Sequence, residues 1–270
     1  MPARQLTAPT RKPVALAPVR PNLGVEFAYQ RELDKLVDRM NEHVQAVVLG
    51  VYGMNPPKLA ADESSPSALR AAISRLAREW SGRFDAFAKT VGRRFSVGAI
   101  GSADRSFAAS LREAGFTVQF KMTPAASEIM QATIAEQVNL IKSIPAEYLT
   151  AVQGSVMRSV TTGRDLGGLS NDLQQQFGVT KRRAATIARD QNAKATASIT
   201  RARQQELGIV EAIWLHSAGG KTPRPTHVGN NGKRYTISEG WFDPAAGKRI
   251  WPGQEVNCRC VSKSVIPGLD

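Results

Sequence analysis

Cysteine is nearly missing from this chain: Cys258 and Cys260 are the only two in 270 residues. Two thiols one residue apart cannot build a disulfide framework, and a bridge between them would be strained. A disulfide-held extracellular scaffold is therefore excluded, and free or metal-bound thiols in a cytosolic assembly are expected. Histidine is almost as scarce, with His43, His216 and His227. Aromatic residues make up 6% of the chain, which speaks against an aromatic-rich β-sandwich. Much of the 42% apolar content is Ala, Val and Leu, a composition that suits helices packed through small side chains. No run of about eighteen apolar residues is present, so no membrane-spanning helix is expected. The stretch Met1–Asn22 does not read as a signal peptide, because Pro2, Pro9, Pro13, Pro18 and Pro21 interrupt it and it has no apolar core. Acidic residues are also short, 23 against 36 Lys and Arg. The resulting charge of +13 and pI near 10.2 point to a polyanionic neighbour. Nucleic acid is the commonest such partner, an acidic protein or membrane surface the alternative, and a merely solvated basic face the plainest reading.

Hydrophobic periodicity divides what remains. Residues 1–24 read as an extended, proline-rich basic arm, charged only by Arg4, Arg11, Lys12 and Arg20. Such an arm cannot fold alone and would order along a partner subunit or DNA, or stay free. From 25 to 51, Tyr29, Leu33, Leu36, Met40, Val44, Val47 and Val51 recur in steps of three and four, one face of a helix. A loop follows from Gly53 to Pro66. Leu69, Ile73, Leu76, Trp80, Phe84, Phe87, Val91 and Phe95 then form a second stripe, with Arg70, Arg75, Arg78, Arg83, Lys89, Arg93 and Arg94 elsewhere around the helix. Phe116, Val118 and Phe120 alternate with polar residues, as in a short strand or an extended connector. Thr123-Pro124 opens a helix to about Ser143, Pro145 opens another, a short helix over 165–177 stops at Gly178, and Thr180 caps a long one over 180–208. The reading is mainly α: an arm (1–24), a helical N-terminal body (25–165) and a C-terminal domain (166–270). In that domain the long helix leads into a small α+β, turn-rich unit over 209–270.

The last third is the most specific part. Ile187-Ala188-Arg189-Asp190-Gln191 lies in the long helix. After it come Trp214, Pro223-Arg224-Pro225, His227, Asn230-Asn231-Gly232-Lys233, Trp241, Trp251-Pro252-Gly253 and Asn257-Cys258-Arg259-Cys260. Asn231-Gly232 is a hairpin-turn signal, Pro252-Gly253 a type II turn signal, and Lys233 to Ile237 would leave the first turn as a strand. Trp241 and Trp251 would fill a small core. From about Leu169 to Pro267 this order resembles the phage Mu F-like minor head proteins, also called phage head morphogenesis proteins. Where that family often carries a His before the Pro-Gly, this chain has Trp251.

The resemblance implies a structural protein of a tailed phage head. It would act in capsid assembly near the portal, in multiple copies, with portal and capsid proteins and packaged double-stranded DNA as partners. Its place would be the virion, inside the head or at the portal vertex, and the host cytoplasm during assembly. Arg182, Arg183, Arg189, Lys194, Arg201 and Arg203 on the long helix are the candidate contacts to DNA or to a partner, and Asp190 would pair with a nearby Arg at the surface.

Two chemistries compete for the turn-rich unit. His227, Cys258 and Cys260 are zinc-type ligands, with His216 or Asp243 as a fourth, and a small irregular unit gains from such a staple. The alternative without a cofactor has the cysteines flanking a buried turn and His227 hydrogen-bonded within it. An acid/base and anion-binding cluster of Arg224, His227, Glu239 and Arg259 would make it a nuclease or toxin-like enzyme. No paired catalytic motif supports that, so no enzyme activity is expected. A free nonspecific DNA-binding protein is the third class.

Overall fold

The computed structural model describes residues 13–54, 64–162, 165–220 and 222–267, so the arm's charges at Arg4, Arg11 and Lys12 lie outside the described residues. Four long helices carry most of the chain: α1 (Leu23–Met54), α2 (Ser64–Glu113), α3 (Pro124–Thr161) and α4 (Leu166–Glu206). Strands β1 (Val14–Ala15), β2 (Glu211–Leu215), β3 (Arg234–Thr236), β4 (Trp241–Asp243), β5 (Lys248–Ile250) and β6 (Val261–Ile266) and the short helix α5 (Pro225–Gly229) complete it. The fold is mainly α with a small C-terminal α+β region. No helix among the described residues is long and apolar enough to cross a membrane.

Two units are interleaved along the chain. One comprises residues 26–95 and 134–188, and its described residues are almost all helical. The predicted stripe of α2, from Leu69 through Trp80 and Phe84 to Phe95, is buried in it, as are Leu33, Val37, Met40 and Val44 of α1. Buried polar pairs fix the registers. Tyr29 donates to Gln137 Oε1 at 2.6 Å and Tyr148 to Asn41 Oδ1 at 2.8 Å. A buried hydroxyl with an acceptor contributes modestly, but leaving its partner unmade costs about 1–3 kcal/mol, so these pairs penalise slipped packings.

Helix boundaries differ from the sequence pattern in three places. α2 runs on to Glu113, beyond the stripe that ends at Phe95, because Ala99, Ala103, Phe107 and Leu111 continue a buried face. Pro145 lies inside α3 rather than opening a new helix. Its ring removes one backbone donor, yet Ile141, Ile144, Tyr148 and Leu149 are buried on both sides of it, so the packed face carries the helix through. Gly178 and Thr180 lie inside α4 rather than stopping one helix and capping the next. Thr180 donates its hydroxyl to the Gln176 carbonyl, the pattern of an interior threonine. A mid-helix Gly costs only about 1 kcal/mol, and burial of Leu173 and Thr180 on either side offsets it.

The other unit comprises residues 1–25, 96–133 and 189–270. Its antiparallel sheet has the order β1-β6-β2-β3, and β4-β5 form a separate hairpin. Trp214 of β2 stands opposite Ser262 of β6 and is completely buried, beside Tyr235, Ile237, Phe107 and Ile199. Gln204 of α4 donates to the Ser262 and Ser264 hydroxyls, tying the helix to β6. The described part of the arm orders on this chain's own β6: Val14 pairs with Ile266, Leu16 N–H reaches Ser264 O, and Leu16 and Val19 are buried. Pro13 and Pro18 suit that position, because an edge strand needs few donors. Phe116 to Phe120 is an extended connector, with Phe120 stacked on Phe107 at 5.6 Å.

The turns fall as follows. Pro252-Gly253 forms the expected turn, with Gln254 N–H reaching Trp251 O and Gly253 at φ +82°. Asn231-Gly232 does not join two hairpin strands. Only Gly232 has positive φ, and the turn closes an eighteen-residue excursion between β2 and β3 that contains α5. A two-residue hairpin turn of that type needs positive φ at both central residues.

Candidate functional site

The excursion and the segment before β6 bring the rare ligand-type residues together. Pro225 starts α5 at its first turn, where a missing N–H is harmless, and α5 presents His227 inward at 2% exposure. Cys258 and Cys260 stand two apart on irregular chain with Arg259 exposed between them, so both sulfurs fall on one buried side. The ligand atoms of His227, Cys258 and Cys260 all lie within 4.8 Å of one another. His227 Nδ1 is 3.4 Å from Cys258 Sγ and 3.7 Å from Cys260 Sγ. His216, just after β2, places its Nδ1 3.5 Å from Cys260 Sγ.

The two other candidates take different places. Asp243, buried at the end of β4, has Oδ2 3.7 Å from His227 Nε2, on the side of the ring away from the sulfurs. That Nε2 has no hydrogen-bond partner among the described residues. Asp243 is itself held by Thr226 Oγ1 and by the Ala245 N–H. Trp251 sends its indole N–H to Ile237 O at 2.7 Å and stacks under Arg201 at 4.3 Å, so it braces the unit from outside the cluster. Trp214, rather than Trp241 or Trp251, is the fully buried indole, packed edge-on against His227 at 5.3 Å.

Donors surround the sulfurs. The hydrogen bond with the Cys260 thiol pushes Cys258 well below the ordinary thiol range, and the backbone N–H groups of Cys260 and Gly253 act in the same direction. Cys260 is pushed up, first by that same hydrogen bond and then by burial, while the Ser217 backbone and the Trp214 indole pull it down. The Trp214 N–H has no hydrogen-bond partner among the described residues.

Two residues that the sequence marks only by motif complete the surroundings. Asp190, from the Ile-Ala-Arg-Asp-Gln run, is buried, accepts a 2.5 Å hydrogen bond from Asn257 N–H and pairs with Lys194 rather than with an Arg at the surface. Gly253 is a point of close approach: a Cβ there would lie 2.8 Å from Ala197 Cβ and 3.3 Å from Cys260 O.

The proposed acid/base cluster does not assemble. Arg224 donates to Val256 O, Arg259 to Gly219 O, and Glu239 pairs with Arg249. Arg224, His227 and Arg259 line a cleft of about 40 Å³, room for a few waters but not for a nucleotide, and Glu239 is not part of it.

The long-helix cations are also largely engaged. Arg203 is 2% exposed, making a two-pronged bond to Asp104 at 2.9 Å and another to Glu206 at 2.8 Å, so it is a core ion pair and not a surface contact. Arg201 lies over Trp251, Lys194 pairs with Asp190, and Arg183 with Glu147. Arg189 is half-buried, and Arg182 alone of the six is exposed. The exposed cations that sequence reasoning ranked lower are those of α2: Arg70, Arg75, Arg78, Arg83, Lys89, Arg93 and Arg94.

The C-terminal end of α4 thus leads into a small α+β unit that carries the His227, Cys258 and Cys260 cluster. Residues 150–263 match the family described as Phage Mu protein F like protein. A protein of Haemophilus influenzae described as an uncharacterized protein is 36% identical over 151 residues, which is 55% of this chain. The chain spans about a third of that relative's length, the matched part being 31% of it. No solved structure matches the chain.

Proposed function

We propose that this protein is a structural head morphogenesis protein of a tailed phage. It is built into the head near the portal and has no catalytic role. The observation that carries the reading is the Phage Mu F-like family match over residues 150–263. The absence of an assembled acid/base cluster in the described part of that region agrees with it. Its partners would be portal and capsid proteins, its copies several, and its place the host cytoplasm during assembly and then the virion. Mass spectrometry of purified procapsids and DNA-filled heads tests this: the chain should be present in particles, and its absence from both would overturn the reading.

Nonspecific contact with packaged DNA is the second element, and it rests on α2 more than on α4. At about 100° per residue, Arg75, Arg78, Lys89 and Arg93 fall within roughly 60° of one another, opposite the buried stripe. They span about 27 Å along the helix axis. An exposed row of this kind matches the phosphate backbone of a duplex without reading its bases.

A further inference from the structure

We propose that His216, His227, Cys258 and Cys260 form a structural zinc site, with Asp243 as the residue that orients His227.

The distances have the form of a coordination shell. Zinc bonds of ~2.3 Å to sulfur and ~2.0 Å to imidazole, at tetrahedral angles, put a sulfur and a nitrogen roughly 3.5 Å apart. The three sulfur–nitrogen separations here are 3.4, 3.7 and 3.5 Å. Weak thiol–imidazole hydrogen bonds would explain one such contact. They do not explain two sulfurs converging on one ring nitrogen while a second imidazole nitrogen approaches from the lip of the cleft.

The tautomer agrees. For Nδ1 to bind a cation it must be unprotonated, which leaves the proton on Nε2. Nε2 faces the buried carboxylate of Asp243 at 3.7 Å and has no other partner among the described residues. A carboxylate behind a ligating imidazole fixes the ring and raises its basicity. The same geometry keeps Asp243 from being the fourth ligand, since the two nitrogens of one ring point away from each other. His216, half-buried and with Nδ1 already 3.5 Å from Cys260 Sγ, is the ligand-type side chain left to take that place, turning toward the other three as it does so.

Charge balance completes the case. Two thiolates and a dication sum to zero, so the buried site holds no net charge. Binding releases the thiol protons to solvent. Such a site would clamp the β2–β3 excursion and the chain before β6, the two irregular stretches of the unit.

The test uses the full chain, expressed with zinc and purified under reducing conditions without chelator. Elemental analysis should give about one zinc per chain. Replacement by Co²⁺ should produce the strong visible bands of a tetrahedral ion and a thiolate-to-cobalt charge-transfer band. Asp243→Asn should keep those bands and weaken zinc binding by about 10–100-fold against a chromophoric chelator. Cys258→Ser should lose the site. Should that variant fail to fold, stripping and reloading the wild-type chain reads the same property. Little or no zinc together with a featureless Co²⁺ titration of the wild type would overturn the proposal. A His216→Ala variant with unchanged Co²⁺ bands and affinity would overturn the assignment of the fourth ligand.

Discussion

The carboxylate of Asp190 accepts the backbone N–H of Asn257, one residue before Cys258. Among the described residues, Asn257 is the non-glycine residue with positive φ, 59°. Asn tolerates that conformation better than most residues, and the hydrogen bond holds it there. The Asp of the helix motif thus positions the loop that carries the sulfurs. Asp190→Ala removes the buried, charged acceptor of the Asn257 N–H and should destabilise the chain by about 1.5–3 kcal/mol. Asn257→Gly should be nearly neutral and Asn257→Val clearly destabilising, as measured by urea unfolding. Equal midpoints for the Gly and Val variants would show that the backbone conformation at Asn257 does not matter.

A glycine comparison separates conformation from space. Gly232 and Gly253 have nearly the same φ, +79° and +82°. Nothing lies within 4 Å of a Cβ at Gly232, whereas one at Gly253 meets Ala197 at 2.8 Å. Gly232→Ala should cost about 1–2 kcal/mol from the left-handed backbone alone. Gly253→Ala should cost a further 1–3 kcal/mol or so by forcing the turn off α4. Indistinguishable thermal midpoints for the two variants would mean that the loop gives way freely.

Much of this was legible before any coordinates. The stripes of α1 and α2 announce themselves at helical spacing, because a buried face needs apolar residues every three or four positions. The rarity of Cys and His singled out His227, Cys258 and Cys260, which the fold brings together. Less legible was continuity: Pro145 and Gly178 read as breaks, and only long-range burial around Ile144 and Leu173 carries the helices through them. Charge misled more seriously. Arg201 and Arg203 look like surface cations, but the sequence does not reveal that Asp104, nearly a hundred residues away, meets one and Trp251 the other.

That Arg203 ion pair makes a stability prediction with a pH sign. Asp104→Ala removes the two-pronged partner of a buried guanidinium and leaves Glu206 to neutralise it alone, so it should destabilise by about 1.5–3 kcal/mol. Burial would raise the Glu206 carboxyl, but hydrogen bonds from Thr123 and Arg203, together with the Arg203 charge, outweigh it and hold its pKa below the ordinary glutamate range. A depressed carboxylate contributes stability above its unfolded pKa and loses it as pH falls through the folded value. Wild type should therefore exceed Glu206→Gln in urea midpoint at pH 7, and the gap should narrow below about pH 4.5. A gap that stays constant down to pH 3 would show that the carboxylate charge contributes nothing.

The two basic helices predict different responses to DNA. Each phosphate neutralised releases condensed counterions, so log K should fall with log salt by about 0.9 per contact. Alanine at Arg75, Arg78, Lys89 and Arg93 together should flatten that slope by up to about four contacts' worth and weaken binding to any duplex alike. These residues are exposed, so the variant should remain folded. Arg201→Ala should leave the slope unchanged and act instead on thermal stability, because its guanidinium is spent on Trp251. Fluorescence anisotropy of a labelled random duplex across a salt series measures both. If the α2 variant kept the wild-type slope while Arg201→Ala lost it, the polyanion would lie against α4, and the exposed row on α2 would be a solvated face.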